Sequence, residues 1–190
     1  MLQGAYTRLE PLTLDHVDAL ASVGLEPSLW SLTLTEVASV ADMHEYVRAA
    51  LAQEAGGAAM PFAIIDRASN RVVGSTRYLN VEIAHARLEI GSTWVAGPWQ
   101  RTAINTEAKR LLLAYAFETL EAARVEFKTD VLNVRSRQAL ARIGAVEEGV
   151  LRQHMITSSG RTRDSVYFSI LKSEWSAVRT RLDAMLIPGS

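Results

Sequence analysis

The sequence predicts a mixed α/β fold with antiparallel hairpins on either side of one parallel crossover, and three observations predict it. Residues 62–66 and 71–78 are strand-forming runs joined by Arg67-Ala68-Ser69-Asn70, a segment with turn chemistry, so they pair as a hairpin. Residues 87–95, 106–120 and 124–131 read as strand, helix and strand, and strands joined through a helix run parallel. Residues 150–156 and 165–171 flank Ser158-Ser159-Gly160 and form a second hairpin. A chain of 190 residues that is 48% hydrophobic suits one domain spanning residues 1–190, with a core that needs no metal or disulfide staple.

Taken in order, residues 6–9 form a short strand. Thr13 has an N-cap side chain, and Leu14, Val17 and Leu20 fall on one helical face behind it. Residues 23–38 carry no clean period and read as short helical pieces. Ser39 opens a clearer helix, with Asp42 at the capping-box position and Val40, Met43, Val47 and Leu51 at helical spacing. Ala55-Gly56-Gly57-Ala58-Ala59 is the loop into the first hairpin. Gly97-Pro98 ends the strand over 87–95, and a polar loop runs to Asn105. The helix over 106–120 is apolar on most faces, through Ala108, Leu111, Leu112, Tyr115 and Phe117, which suits a helix lying on a sheet. Along 124–131, Val125, Phe127, Thr129 and Val131 face one way while Glu126, Lys128 and Asp130 face the other. A helix over 134–143 ends at Gly144, which fits the left-handed position past a C-terminus. Ser173 is placed to cap a last helix whose stripe is Trp175, Val178, Leu182 and Met185.

Composition removes several classes of function. Twenty Lys and Arg against twenty-one Asp and Glu give a net charge of −1, so there is no chain-wide basic field for nucleic acid or an anionic membrane. The absence of cysteine excludes disulfides, thiolate metal sites and Cys nucleophiles. His16, His44, His85 and His154 are scattered without ligand spacing, so no metal site is expected. The first ten residues lack the pattern of a secretory signal and no run is long enough to cross a membrane, so a cytoplasmic protein is expected.

The chemically informative stretch is residues 89–107, where a strand leads through a loop into a buried helix. The first turn of a helix carries four N–H groups without intrahelical partners, and its dipole favours an anion. A loop that delivers those amides to a phosphate is a recurrent device, and Arg101 adds a charge-assisted contact. Taken alone, the same stretch also reads as an ordinary strand–loop–helix joint.

Gln100-Arg101-Thr102-Ala103-Ile104-Asn105 resembles the acyl-CoA loop of the GNAT N-acetyltransferase superfamily, in which Gln or Arg, two variable residues, Gly, one variable residue and Gly or Ala follow one another. Thr106-Glu107-Ala108 is similar to the helix start of the RimJ/RimL-like branch, as is Glu89-Ile90-Gly91 to its preceding strand. Asn133, Ser136 and Gly144 match a further pattern of that branch, as do Leu2, Gly4, Arg8, Leu9, Pro11 and Leu12 at the start and 148–152 near the end. Each piece is short, but together they span nearly the whole chain in the right order. Ala103 and Asn105 stand where the loop usually has glycine. If left-handed backbone were needed there, Ala would cost on the order of 1 kcal/mol, and Asn less. Leu140 stands where many members carry a Tyr as acid for the leaving thiolate.

The resemblance implies a GNAT-like mixed, mostly antiparallel central sheet with a splayed parallel strand pair and flanking helices. It implies acetyl-CoA as co-substrate and direct transfer of the acetyl group to a primary amine, either a protein N-terminus or a small molecule. It places the pantetheine arm along Trp94 and Val95 and beside Asn133, and the pyrophosphate at Gln100, Arg101, Thr102, Ala103, Ile104, Asn105 and Thr106. It puts Ser136 near the leaving thiolate; the same residue also reads as a helix cap. An attacking amine must be neutral, and lysine side chains (reference pKa about 10.4) and N-termini (about 8) are mostly protonated at pH 7. Glu89, bordering the thioester, is the best candidate for a base acting through water, with Glu82 and His85 in reserve. Otherwise Glu89 is a half-exposed strand carboxylate paired with Arg87 or Arg101.

Other side chains read two ways. Trp30 is a core anchor or a pocket wall, and His154 a surface residue or a border of the acceptor pocket. Arg161, Arg163 and Asp164 read as a solvated turn, or as contacts for an acidic acceptor. A basic residue such as Arg77 or Arg87 facing the acyl end would favour succinyl-CoA instead. The reading from another class is a protein that binds acyl-CoA without transferring the acyl group, as a sensor or interaction module. Strands past residue 145 are candidates for pairing in a homodimer.

Overall fold

The computed structural model describes residues 1–187. Eight strands form one sheet: β1 (Leu2–Gln3), β2 (Thr7–Pro11), β3 (Ala59–Asp66), β4 (Arg71–Glu82), β5 (Arg87–Val95), β6 (Arg124–Asp130), β7 (Val146–Ile156) and β8 (Thr162–Leu171). Their spatial order is β1-β2-β3-β4-β5-β6-β8-β7, and β5–β6 is the parallel pair in an otherwise antiparallel sheet. The helices are α1 (Val17–Gly24), α2 (Val40–Ala55), α3 (Ala103–Ala114), α4 (Val134–Ile143) and α5 (Trp175–Met185). Both expected hairpins and the parallel crossover are present, and the β4–β5 hairpin joins them.

The sheet is buried on two sides because its strands supply two apolar faces. Along β3, Phe62 and Ile64 join the core under α3, α4 and α5, while Ala63 and Ile65 join the core under α1 and α2. On β6, Val125 and Phe127 face the α3 side, as the alternation predicts.

A bulge in β5 decides what faces where. Arg77 pairs with Gly91 and Ser75 with Trp94, so Ser92 and Thr93 together oppose Thr76, with Ser92 at φ 46°. Without the extra residue, Glu89 and Val95 would share a face. With it, Leu88, Ile90 and Val95 all face α3, while Trp94 turns to the α1/α2 core.

Several boundaries differ from the sequence expectation. The strand β1 has only two residues and too little pattern to register. The α3 helix begins at Ala103, not Thr106, because Thr102 is its N-cap and its hydroxyl accepts the Ile104 N–H at 3.3 Å. Its last turn, Tyr115–Thr119, widens to a π-helix. Val40 is exposed on α2, although Ser39 caps that helix as expected, accepting the Asp42 N–H at 3.1 Å. Thr13 precedes a short 3-10 turn, Leu14–His16, that leads into α1, whereas Ser173 lies inside another, Lys172–Glu174, that leads into α5. The Glu174 carboxylate, not Ser173, accepts the Leu171 N–H at 2.8 Å. Gly144 takes the left-handed position after α4, at φ 98°.

The start of α3 is tied to the far edge of the sheet by one carboxylate. Glu107, 5% exposed, accepts the backbone N–H groups of Ala5, Tyr6 and Thr7 at 2.7, 2.7 and 2.5 Å. A Cβ at Gly4 would overlap this carboxylate, so glycine is required there. Glu107→Gln loses charge and presents an amide group to one of the donors, and it is expected to cost about 2–3 kcal/mol by urea denaturation. Gly4→Ala is expected to cost a similar amount. A cost below about 0.5 kcal/mol for both would show that the anchor is dispensable.

Candidate active site

The site forms where β5 and β6 part. Their parallel pairing covers three positions, Arg87 with Arg124, Leu88 with Val125 and Glu89 with Glu126. Beyond Glu89 the register stops, while β5 stays on β4 to Val95 and β6 stays on β8 to Asp130. A V-shaped gap therefore opens toward the C-terminal ends of both strands.

Two helix N-termini meet at the open end. After β5 the chain turns through Gly97–Trp99 into the loop before α3, and after β6 it enters α4 at once. The Gln100 amide donates to the Val95 carbonyl at 2.7 Å and its oxygen accepts from Arg135 of α4 at 2.7 Å. Arg142 of α4 donates to the Thr106 hydroxyl of α3 at 2.9 Å. Arg101, exposed at φ 61°, and Arg135 add positive charge to the N–H groups of the two first turns. An anion is the ligand such an arrangement accommodates.

The structure moves the loop's special backbone geometry. Ala103 and Asn105 lie inside α3 and have no positive φ, so neither carries the strain that a replaced glycine would imply. The left-handed residue is Arg101 instead. The Asn105 Oδ1 is buried without a hydrogen-bond partner among the described residues, and Ile104 is a core residue. Trp94 packs against Trp30 at 5.4 Å between ring centroids, and Trp30 donates its indole N–H to the Gly24 carbonyl at 2.7 Å. Trp30 is a core anchor.

Asn133 and Ser136 do meet, at the start of α4. Asn133 is the cap, its Oδ1 accepting the Ser136 N–H at 3.0 Å, which leaves the Ser136 hydroxyl free of capping duty. Leu140 is in the core.

Glu89 sits where the gap begins, on the face opposite Leu88 and Ile90. It is not half-exposed: its side chain is 4% exposed, and its Oε2 accepts from Asn80 at 2.9 Å and lies 3.4 Å from the Lys128 ammonium. Neither Arg87 nor Arg101 is its partner, since Arg87 bridges Glu82 and Glu126. Glu82 ends β4 and the exposed His85 lies in the turn before β5, both on the closed side of the parallel pairing. Arg77 lies over the Tyr46 ring at 4.5 Å and donates to Gln53 at 3.3 Å.

Lys109 is a feature that the sequence reading passed over. Its Nζ donates to the Thr93 hydroxyl on β5 at 2.7 Å and lies 5.9 Å from the Phe127 ring centroid on β6, so one side chain touches both splayed strands. It is 7% exposed and no carboxylate pairs with it among the described residues. Burial lowers its pKa to about 7. The detectable signal was a lysine set between Ala108 and Leu112 in an apolar helix.

That shift has a stability consequence. With a folded pKa below the unfolded one, the unfolded chain binds more protons between about pH 7 and 10.5, so stability rises with pH across that window. Lys109→Met is expected to remove this rise and to melt a few degrees above the wild type at pH 7. Melting curves that shift in parallel from pH 7 to 9.5 would contradict the assignment.

Comparison with known proteins agrees with this geometry. The family model described as "Acetyltransferase (GNAT) domain" matches residues 7–146. The chain is 41% identical over 96 residues to the "Putative ribosomal N-acetyltransferase YdaF" of Bacillus subtilis (strain 168), a match spanning half of this chain and about half of that relative's length. The crystal structure of a GCN5-related N-acetyltransferase from Brucella melitensis superposes with a TM-score of 0.91 at 33% identity, over 98% of this chain and 85% of that one. RimJ of Mycobacterium smegmatis, solved in complex with CoA-disulfide, shares the fold with a TM-score of 0.79 at 24% identity, over 94% of this chain and 88% of that one. The splayed parallel pair, the two converging helix N-termini and the family match together place the chain in the GNAT family of acetyltransferases.

Proposed function

We propose that the protein transfers the acetyl group of acetyl-CoA directly to a primary amine. The observation that carries this reading is the end of β5–β6 pairing at Glu89 beneath the N-termini of α3 and α4. An extended, amide-bearing arm ending in an anionic pyrophosphate matches what that gap offers: strand backbone along its sides and unpaired helix N–H groups at its mouth. The buried, unpartnered Asn105 Oδ1 and the Lys109 ammonium also fit a ligand with donors and acceptors along its length.

In this reading the amides of Ala103 and Asn105, with Gln100, Arg101 and Thr102, receive the pyrophosphate, and Arg135 adds a charge from α4; the Ile104 N–H is taken by the Thr102 hydroxyl, and the Thr106 N–H lies past the free groups of the first turn. Because Gln100 holds the Val95 carbonyl, the arm pairs with the remaining backbone of 90–95. Asn133 holds the arm from the β6 side. Acetyl-CoA supplies an activated thioester; the amine nitrogen forms the new C–N bond as the C–S bond breaks, and the thiolate takes a proton. Glu89 accepts the amine's proton through a water and Lys128 steadies the Glu89 carboxylate. Ser136 donates to the departing sulfur.

The amine enters on the Glu89 face, opposite α3. A protein N-terminus or a small amine meets the requirement for a partly neutral nucleophile more easily than a lysine side chain. Acetyl rather than succinyl is the preferred acyl group, since Arg77 is held by Tyr46 and Gln53 and Arg87 by two carboxylates.

Glu89→Gln is expected to lower kcat/KM by about 100-fold at pH 7 and by less at pH 9, where more of the amine is already neutral. Release of CoA thiol from pH 6 to 9.5 measures it, and an unchanged profile would remove Glu89 from the mechanism. Ser136→Ala is expected to lower kcat by roughly tenfold with little change in melting temperature, because Asn133 is the cap. A loss of stability with full turnover would assign Ser136 a purely structural role.

A further inference from the structure

On the face of the sheet that carries Glu89, the strands past β5 bring polar side chains together. The register pairs Glu89 with Glu126, Lys128 with Tyr167 and Asp130 with Ser165, so these residues share one face. Arg163 lies on β8 two residues before Ser165, on the same side. His154 joins from β7, its ring 5.7 Å from that of Tyr167, and the Lys128 ammonium lies 5.7 Å from the Tyr167 ring on its way to Glu89. A bulge turns β7 at this point: Leu151 pairs with Ser165 and Met155 with Arg163, and Asp164 fixes the irregular stretch by accepting the Gln153 N–H at 2.6 Å.

Within this patch the carboxylates are already matched. Lys128 pairs with Glu89, and Arg161 pairs with the fully buried Asp130. Arg163 has no such partner. It is 5% exposed, its guanidinium makes no hydrogen bond or ion pair among the described residues, and its Nε is buried without an acceptor. The expected solvated turn is therefore wrong for Arg163: β8 begins at Thr162 and carries it inward. Two more buried polar atoms nearby have no partner among the described residues, the Ser165 hydroxyl and His154 Nδ1. Asp130 and Glu89 offset part of the Arg163 charge from a distance, but neither touches the guanidinium, and each orphaned buried polar atom is costly. Three of them on one patch beside Glu89 describe a site built for a ligand group.

We propose, resting on the acetyltransferase reading above, that the acceptor is an anionic amine whose carboxylate is received by Arg163. The guanidinium supplies two parallel N–H donors to the two oxygens, and Ser165 supplies a third from the neighbouring position on the strand. The carboxylate gives the Arg163 guanidinium the contact partner that Lys128 and Arg161 already have in Glu89 and Asp130. With its acid group held there, the acceptor presents its amine toward Glu89. Two sources share this chemistry: a free amino acid, and a peptide N-terminus followed by an acidic side chain.

The experiment measures CoA release by the full-length protein with matched acceptors that differ in one charge. β-Alanine and L-alanine are compared with β-alaninamide and L-alaninamide for the first source. The tripeptide amides Ala-Asp-Ala and Ala-Asn-Ala are compared for the second. The expected result is a preference of about tenfold or more in kcat/KM for the acid in at least one arm, and that arm identifies the source. Arg163→Met is expected to bring the ratio close to one, and Arg163→Lys to retain part of it. The stability of Arg163→Met provides a readout apart from turnover. Removing an unmatched buried charge leaves the ligand-free protein as stable as the wild type or more so, whereas loss of a structural arginine lowers the melting temperature. Equal use of acids and amides overturns the inference and leaves the acetyltransferase reading standing, as does a destabilised Arg163→Met with unchanged selectivity. Failure to bind acetyl-CoA at all would instead fall on that reading.

Discussion

The rest of the structure depends on the backbone hydrogen-bond ladder between β5 and β6 stopping after three residue pairs. A parallel ladder normally runs as far as both strands do, because each strand N–H and C=O left inside a fold costs free energy. Here each strand continues on its other neighbour, β5 against β4 and β6 against β8, so the sheet stays whole while its middle opens. The opened edges offer donors and acceptors at strand spacing. Both chain exits from the gap lead into helices, so the same split that exposes strand backbone also aims two helix N-termini at its mouth.

Three devices hold the gap in this form. The bulge at Ser92 shifts the side-chain alternation by one, which lets β5 present Glu89 on one face and still seat Trp94 in the α1/α2 core. The Glu107 carboxylate clamps the start of α3 to the turn between β1 and β2, across about a hundred residues of sequence, with Gly4 leaving room for it. Gln100 links the end of β5 to α4 through Arg135. Lys109 on one side of the sheet and Arg163 on the other are both buried, and among the described residues no carboxylate touches either.

Much of this was legible in the sequence, for physical reasons. Period-two alternation at 124–131, turn chemistry at 67–70 and the strand–helix–strand order fixed the hairpins and the parallel crossover. The loop at 100–106 could be placed because its motif marks a strand-to-helix joint. The residues that escaped act over long range or through backbone geometry. The Ser92 bulge has no glycine to announce it. Glu107 looks like an acid favoured by the helix dipole, while its true partners lie at residues 5–7. The family's glycine pattern left open whether 103 and 105 need left-handed backbone; they do not, because the helix starts earlier and the left-handed residue is Arg101. Arg163 follows Gly160 and sits between two other charged residues, so it read as a turn until strand β8 proved to include it.

The central claim is that the gap between β5 and β6 is an acetyl-CoA site. Calorimetric titration of the purified protein with acetyl-CoA, with desulfo-CoA as comparison, tests it most directly. The account predicts one site per chain with micromolar affinity, roughly −8 kcal/mol, with desulfo-CoA retaining most of it through the pyrophosphate and pantetheine contacts. No binding of either compound at millimolar concentration would contradict it.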